Sequence, residues 1–237
     1  SRRYGDADDM ASWGRLDPEA IASVREEAWP EARDADELHE ALTQLGCLTQ
    51  AEIDANPAWP ALMAALASRG RAARMALPMP IWVATECLPM WRAVHAEPPV
   101  APDVRVPDEF LATAWTRDDA LREIVRARIG GLGPVRVPAL AAAIGVAPGE
   151  VDVALLRLEA EGFAMRGFYS SDGGGEEWCE RHLLARIHRY TIGRLRREIE
   201  PVTGRDLMRF LGRWQRLDGP DRVSGPEALV SVLAQLE

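Results

Sequence analysis

A short pattern occurs twice in this chain and limits its fold more than any other feature. Ser68-Arg69-Gly70-Arg71-Ala72-Ala73-Arg74 lies over Ala160-Glu161-Gly162-Phe163-Ala164-Met165-Arg166 at an offset of 92. Beyond it Trp82 lies over Trp178, and Leu88 over Leu184, at an offset of 96, so the second copy is four residues longer in between. A glycine ending a helix, an arginine in the next strand and a tryptophan closing a hairpin recur in the same order. This predicts two copies of one structural unit.

The segments before each copy have matching periodicity. In the first, DADELHEALTQLG is a capped amphipathic helix with Leu38, Leu42 and Leu45 on one side and Gly46 as its stop. LTQAEIDAN and PAWPALMAALASRG read as two further helices, and RAARMALPMPIWVAT as two short strands about a Pro-containing turn. In the second, DDALREIVRARIGGLG turns Leu121, Ile124, Val125 and Ile129 inward. PVRVPALAAAIG reads as a strand feeding a helix, and APGEVDVALLRLEAEG as a third helix. FAMRGFYSSDGGGEEWC is strand, Gly-rich turn and strand, which makes Gly173–Gly175 a wing tip rather than a phosphate loop.

Three helices followed by a hairpin is the winged-helix order. The predicted fold is mainly α with small β-hairpin wings, arranged as tandem winged-helix (helix-turn-helix) units. The expected organisation is an extended lead-in over 1–16, cut from a longer protein, and a first winged-helix-like unit over 17–95. The latter opens on a helix started by Asp17-Pro18 and stopped by Trp29-Pro30, and closes with CLPMWRAVH. A semi-rigid linker over 96–113 follows, carrying Pro98, Pro99, Pro102 and Pro107. The second winged-helix unit covers 114–178. A joining basic helix and part of a third unit (TGRDLMRFLGRWQRL, then GPEALVSVLAQLE) cover 179–237, with the third wing lying past Glu237.

The joining stretch, WCERHLLARIHRYTIGRLRREIEP from Trp178 to Pro201, organises the rest. Wound at about 100° per residue, it gathers Leu183, Leu184, Ile187, Tyr190, Thr191, Leu195 and Ile199 on one side. Arg186, Arg189, Arg196 and Arg197 fall in the opposite arc. The apolar stripe must be buried, which leaves the arginines outward, facing either solvent, phosphate or acidic residues of the first unit.

Net charge is −9, yet its distribution is uneven. Residues 1–60 hold fourteen acidic residues against five arginines, and residues 181–216 hold ten arginines against three acids. Such asymmetry is compatible with a phosphate-facing surface on one side. No apolar run reaches the roughly 18 residues of a membrane span, and Cys47, Cys87 and Cys179 are too scattered for a disulfide framework, as in a reducing cytoplasm.

Catalytic motifs are missing. The chain has no G-x-x-x-x-G-K-[ST] loop and no lysine at all, which excludes a Walker-type phosphate cradle. Cys179, His182 and His188 fall short of a four-ligand metal set. Asp8, Asp9, Glu26, Glu27, Asp118 and Asp119 read as solvent charges or helix-start dipole partners. The remaining chemistry is nucleic-acid contact. The third helix of the second unit is acid-rich, with Arg157 its one cation, so groove reading is not expected of it; the third helix of the first unit carries no charge before Arg69 and reads as a packing module. The expected backbone-contact set is Arg157, Arg166, Arg186, Arg189, Arg196, Arg197, Arg205, Arg209 and Arg213. Trp29, Trp59, Trp91 and Trp214 are candidate stacking platforms whose helical spacing equally suits a core.

The run EEWCERHLLARIHRYTIGRLRREIEPVTGRDLMRFLGRWQ resembles the region following the helicase core in the large helicase-related (Lhr) proteins of bacteria. WTRDDALREIVRARIGGLGPV and LLRLEAEG resemble the winged helix before it, and the similarity extends over nearly the whole chain. The resemblance implies a parent that is an ATP-dependent superfamily 2 DNA helicase of the DEAD/DEAH-box type, linked to DNA repair. Its ATP and Mg would be held by motor domains outside this chain, which is not expected to be catalytic by itself. Expected partners are DNA, single-stranded or duplex/hybrid, and the rest of the helicase chain, in the bacterial cytoplasm at the nucleoid. Family C-terminal modules also resemble alkylpurine DNA glycosylases built of tandem winged helices. That family's Gln-x-Gln or Gln-x-Asp motif has no match at Gln44, Gln50, Gln215 or Gln235. A glycosylase-like module and a protein-docking or oligomerisation module are the alternative readings.

Overall fold

The computed structural model describes residues 16–170, 174–198 and 202–214, the side chains of 197 and 198 excepted. Two compact units divide at Ile192/Gly193. The larger is mainly helical with two small antiparallel sheets, the expected fold class.

Helix α1 (Pro18–Ala28) starts where Asp17 accepts the Glu19 N–H and Pro18 takes the first helical position. α2 (Ala35–Leu45) begins under the Asp34 carboxylate and ends at Gly46. Strand β1 (Leu48–Thr49) leads into α3 (Gln50–Asp54) through a capping box between Thr49 and Glu52. α4 (Trp59–Ser68) precedes the hairpin of β2 (Ala72–Met75) and β3 (Ile81–Ala84). A short 3-10 turn (Thr85–Cys87) then opens α5 (Leu88–Val94).

The segment expected as a linker does more than link. It contains β4 (Val100–Ala101), which pairs with β2 to complete a sheet of order β1-β3-β2-β4, and a short helix α6 (Asp108–Leu111). Val104 and Val106 between them are buried in the core. Alternation of valine with polar residues over 104–106 lets the extended chain bury one side, which the prolines do not prevent.

The second half has α7 (Arg117–Leu132), α8 (Val137–Ile144) and α9 (Pro148–Ala160), then the hairpin of β5 (Ala164–Gly167) and β6 (Glu177–Glu180). The two hairpins carry the repeat in detail. Arg74 stands opposite Trp82, and Arg166 stands opposite Trp178, in antiparallel register. Gly70 and Gly162, which end α4 and α9, both have φ above +60° (70° and 74°), where a side chain would strain the backbone.

α7 is the element around which the larger unit is built. It packs against α9, α5, α2, α1 and β6. Its Leu121, Ile124, Val125 and Ile129 are buried as the period predicts. One core joins these residues to Met75, Val83, Leu88 and Trp91 of the first half, and a second lies around Leu38, Leu42, Trp59 and Leu66. Each fully buried residue of this size contributes about 1.5–3 kcal/mol.

α10 (Arg181–Glu198) begins later than the sequence suggests. Residues 178–180 belong to strand β6, and the Glu180 carboxylate accepts the N–H groups of His182 and Leu183, which caps the helix there. A third core holds Leu183 and Ile187 with Cys179, Leu16, Ile21 and Val24, so α1 packs on the second hairpin's side of the molecule. Thr191 is buried too, its hydroxyl accepting the Asp17 N–H at 3.1 Å. Tyr190 and Leu195, expected inward, are exposed, and Ile199 lies outside the described residues. Beyond, α11 (Gly204–Trp214) forms as expected, whereas 215–237 also lie outside the described residues. No single helix among the described residues is long and apolar enough to cross a membrane.

Candidate nucleic-acid interface

The nine expected arginines separate by what stands beside them. Three are tied to carboxylates. Arg157 on α9 places Nη2 2.8 Å from Asp118 Oδ2 at the start of α7. Arg166 on β5 holds Nε 3.1 Å from Glu159 Oε1, with its guanidinium 6.0 Å from the Trp178 ring centroid. Arg186 pairs with Glu27 of α1, and the Tyr190 hydroxyl donates to the same carboxylate at 3.2 Å. For Arg186 the outward arc of α10 therefore meets acid of α1. A phosphate must displace these carboxylates before it can use the cations, a cost that a free arginine avoids.

Others are free. Arg189 on α10 is exposed and makes no ion pair among the described residues, and the same is true of Arg196 further along that helix. The side chain of Arg197 lies outside the described residues. On α11, Arg205, Arg209 and Arg213 stand at i, i+4 and i+8, one basic stripe along the helix. Arg209 lies 3.6 Å from Asp206, both about half exposed, while Arg205 and Arg213 have no ion pair among the described residues. The opposite side of α11 is apolar, with Leu207, Phe210 and Trp214 exposed.

Four charged residues proved structural in ways that the expected set did not include. Arg128 of α7 is 2% exposed; it donates to the Cys47 carbonyl at 2.9 Å and to Glu52 Oε1 at 2.6 Å, locking α7 to the first half. The signal was present: Arg128 stands four residues after Ile124 and seven after Leu121, inside the apolar stripe. Arg25 donates to the Leu132 and Pro134 carbonyls at the end of α7. Glu177, buried in β6, accepts from Tyr169 N–H, Ser170 N–H and Ser170 hydroxyl at 2.7–3.1 Å, so it holds the hairpin rather than a reacting proton. Glu180 is the helix cap described above.

No reactive thiol is on offer. Burial pushes Cys47 up to about 11, and Cys87 and Cys179 up to about 12. Among the described residues no group of three or more His, Cys, Asp or Glu could hold a metal ion. Of the candidate tryptophans, Trp59 and Trp91 are buried and donate their N–H to Ala32 and Gly46 carbonyls. Trp29, half-buried on Trp59, lines a cleft of about 840 Å³, and Trp214 is exposed.

No family model matches the sequence. Over 232 residues, 93% of this chain, it is 30% identical to a protein of Mycolicibacterium smegmatis named Lhr helicase/ probable uracil glycosylase. The chain spans 15% of the length of that relative.

Proposed function

The chain is related to the large helicase-related (Lhr) family, and from that premise we propose that it is a nucleic-acid-binding accessory region of an ATP-dependent superfamily 2 DNA helicase. It holds or guides the strand through backbone contacts, in the service of DNA repair, for motor domains that lie elsewhere in the parent and bind ATP and Mg there. Each set of three helices and a hairpin is read as a winged-helix unit. Its partners are DNA and the rest of the helicase chain, at the bacterial nucleoid.

The observation that carries this reading is that Arg189, Arg196, Arg205 and Arg213 make no ion pair among the described residues, in a chain whose net charge is −9. Solvated cations held free of acids attract phosphate without first breaking a pair. Fluorescence anisotropy with labelled single-stranded and duplex oligonucleotides tests it. Binding by the wild-type chain, lost when Arg189, Arg196, Arg205 and Arg213 become Gln, is the expected result. Equal binding by the wild type and the fourfold variant overturns the assignment.

A further inference from the structure

The repeated hairpin is chemically different in its two copies. In the second, Trp178 is 2% exposed and Arg166 is held by Glu159 of α9. In the first, Trp82 is half-buried, and Arg74 opposite it is exposed and makes no ion pair among the described residues. The repeat itself supplies the reason. At the offset of 92, Glu159 corresponds to Ala67, so the first copy lacks the acid that ties the second. α4 packs on β2 as α9 packs on β5, which puts residue 67 in the equivalent place.

The surroundings differ in the same sense. From Ala55 to Thr85 the chain has three arginines, Arg69, Arg71 and Arg74, and no acidic residue. The corresponding stretch from 147 to 181 has eight acidic residues and three arginines. Of the three arginines Arg71 is occupied by Asp36, and Arg69 and Arg74 are exposed. The Trp82 ring is fixed: its N–H donates to Gln50 Oε1 at 3.0 Å, and the Gln50 amide donates to Asp54 at 2.9 Å. A rigid, partly open indole beside a free guanidinium offers a base a stacking surface and its phosphate a cation, with little ordering left to do on binding.

We infer that the β2–β3 hairpin, through Arg74 and Trp82, is a binding site for single-stranded nucleic acid, and that its copy in the second half is not. The inference rests on the nucleic-acid reading above and adds to it a contact in the first unit, whose third helix was expected only to pack. A single strand fits better than a duplex, because a stacking platform needs an unpaired base face.

The test is photocrosslinking of the full chain with a thiothymidine-substituted oligonucleotide, followed by tryptic mapping. Crosslinks in the peptide Met75–Arg92, which carries Trp82, are expected. Crosslinks confined to α10 and α11 overturn the hairpin site while leaving the proposed function intact, and crosslinks nowhere overturn both. Crosslinks at the hairpin alone support the site and refute the arginine run. Two variants read the chemistry: Arg74→Gln, at an exposed position, and Ala67→Glu, which gives the first copy the acid of the second. Each should weaken oligonucleotide binding roughly fivefold and reduce the salt slope by about 0.7. Glu159→Gln, which frees Arg166, should not weaken binding. Arg74→Gln within twofold of wild type overturns the site, as does competition by oligoglutamate equal to that by unlabelled oligonucleotide, which would mark an acidic-peptide surface instead.

Discussion

Glu52→Ala should be among the most damaging single substitutions in the chain, although Glu52 is a half-buried residue in the middle of a five-residue helix. Its carboxylate does two things. One oxygen accepts Arg128 Nη2 at 2.6 Å, and the other accepts the Thr49 N–H at 2.7 Å in the capping box. Removing it leaves a guanidinium that is 2% exposed with only the Cys47 carbonyl for company. Stranding one member of a buried pair costs about 3–5 kcal/mol, and losing the cap about 1 kcal/mol more. Arg128→Met removes the buried charge itself and leaves Glu52 to solvent, so about 1–3 kcal/mol is expected. The double variant should then be much less destabilised than the sum of the two, because the stranded cation is gone. Urea unfolding followed by tryptophan fluorescence measures all three. A Glu52→Ala cost below about 1 kcal/mol, or strict additivity in the double variant, would refute the view that this pair locks the two halves together.

Further outcomes follow from other sites. Iodoacetamide at about pH 8 should leave Cys47, Cys87 and Cys179 unmodified in the native protein, since burial raises all three thiols to about 11–12, and should label all three in denaturant; mass spectrometry reads the difference. His95, stacked on Trp91 and bonded to the Ile144 carbonyl at 3.0 Å, has its pKa lowered, chiefly by burial. The unfolded chain therefore binds that proton more readily, and stability should be full above about pH 6.5 and fall as the pH drops below it; His95→Gln should flatten this part of the profile in chemical denaturation. Gly130 and Gly131 are neighbours in α7 with opposite surroundings. A Cβ at 130 meets nothing within 4 Å, whereas one at 131 runs into the buried Leu45 side chain. Gly130→Ala should stabilise by up to about 1 kcal/mol, and Gly131→Ala should destabilise by about 1–2 kcal/mol, as thermal melts would report.

Periodicity made the helices legible. Leu121, Ile124, Val125 and Ile129 repeat at helical spacing, and nothing in the tertiary structure overrides them. The hairpins were equally plain, because a glycine stop, an alternating run and a closing tryptophan leave few options. Partnerships between distant residues were not legible. Glu27 meets Arg186 across 159 positions, and Asp118 meets Arg157 across 39, so no local pattern announces that these cations are neutralised. Val104 and Val106 were hidden by composition: prolines dominate their segment, yet two valines on one side of an extended chain are enough to enter the core. Tyr190 and Leu195 show the reverse. Helical phase predicts which way a residue points on its helix, but a partner surface must also be present to bury it, and these two side chains are exposed.

The most direct measurement is the slope of log affinity against log salt for a labelled single strand bound to the whole chain. Arg74, Arg189, Arg196, Arg205 and Arg213 are exposed arginines without an ion pair among the described residues. At about 0.7 per phosphate contact, five such contacts give a slope of roughly −3.5. A slope near that value, shrinking stepwise as these arginines become Gln, is the predicted result. Binding that is indifferent to salt, or no binding at about 50 mM salt, contradicts a strand held through its phosphates.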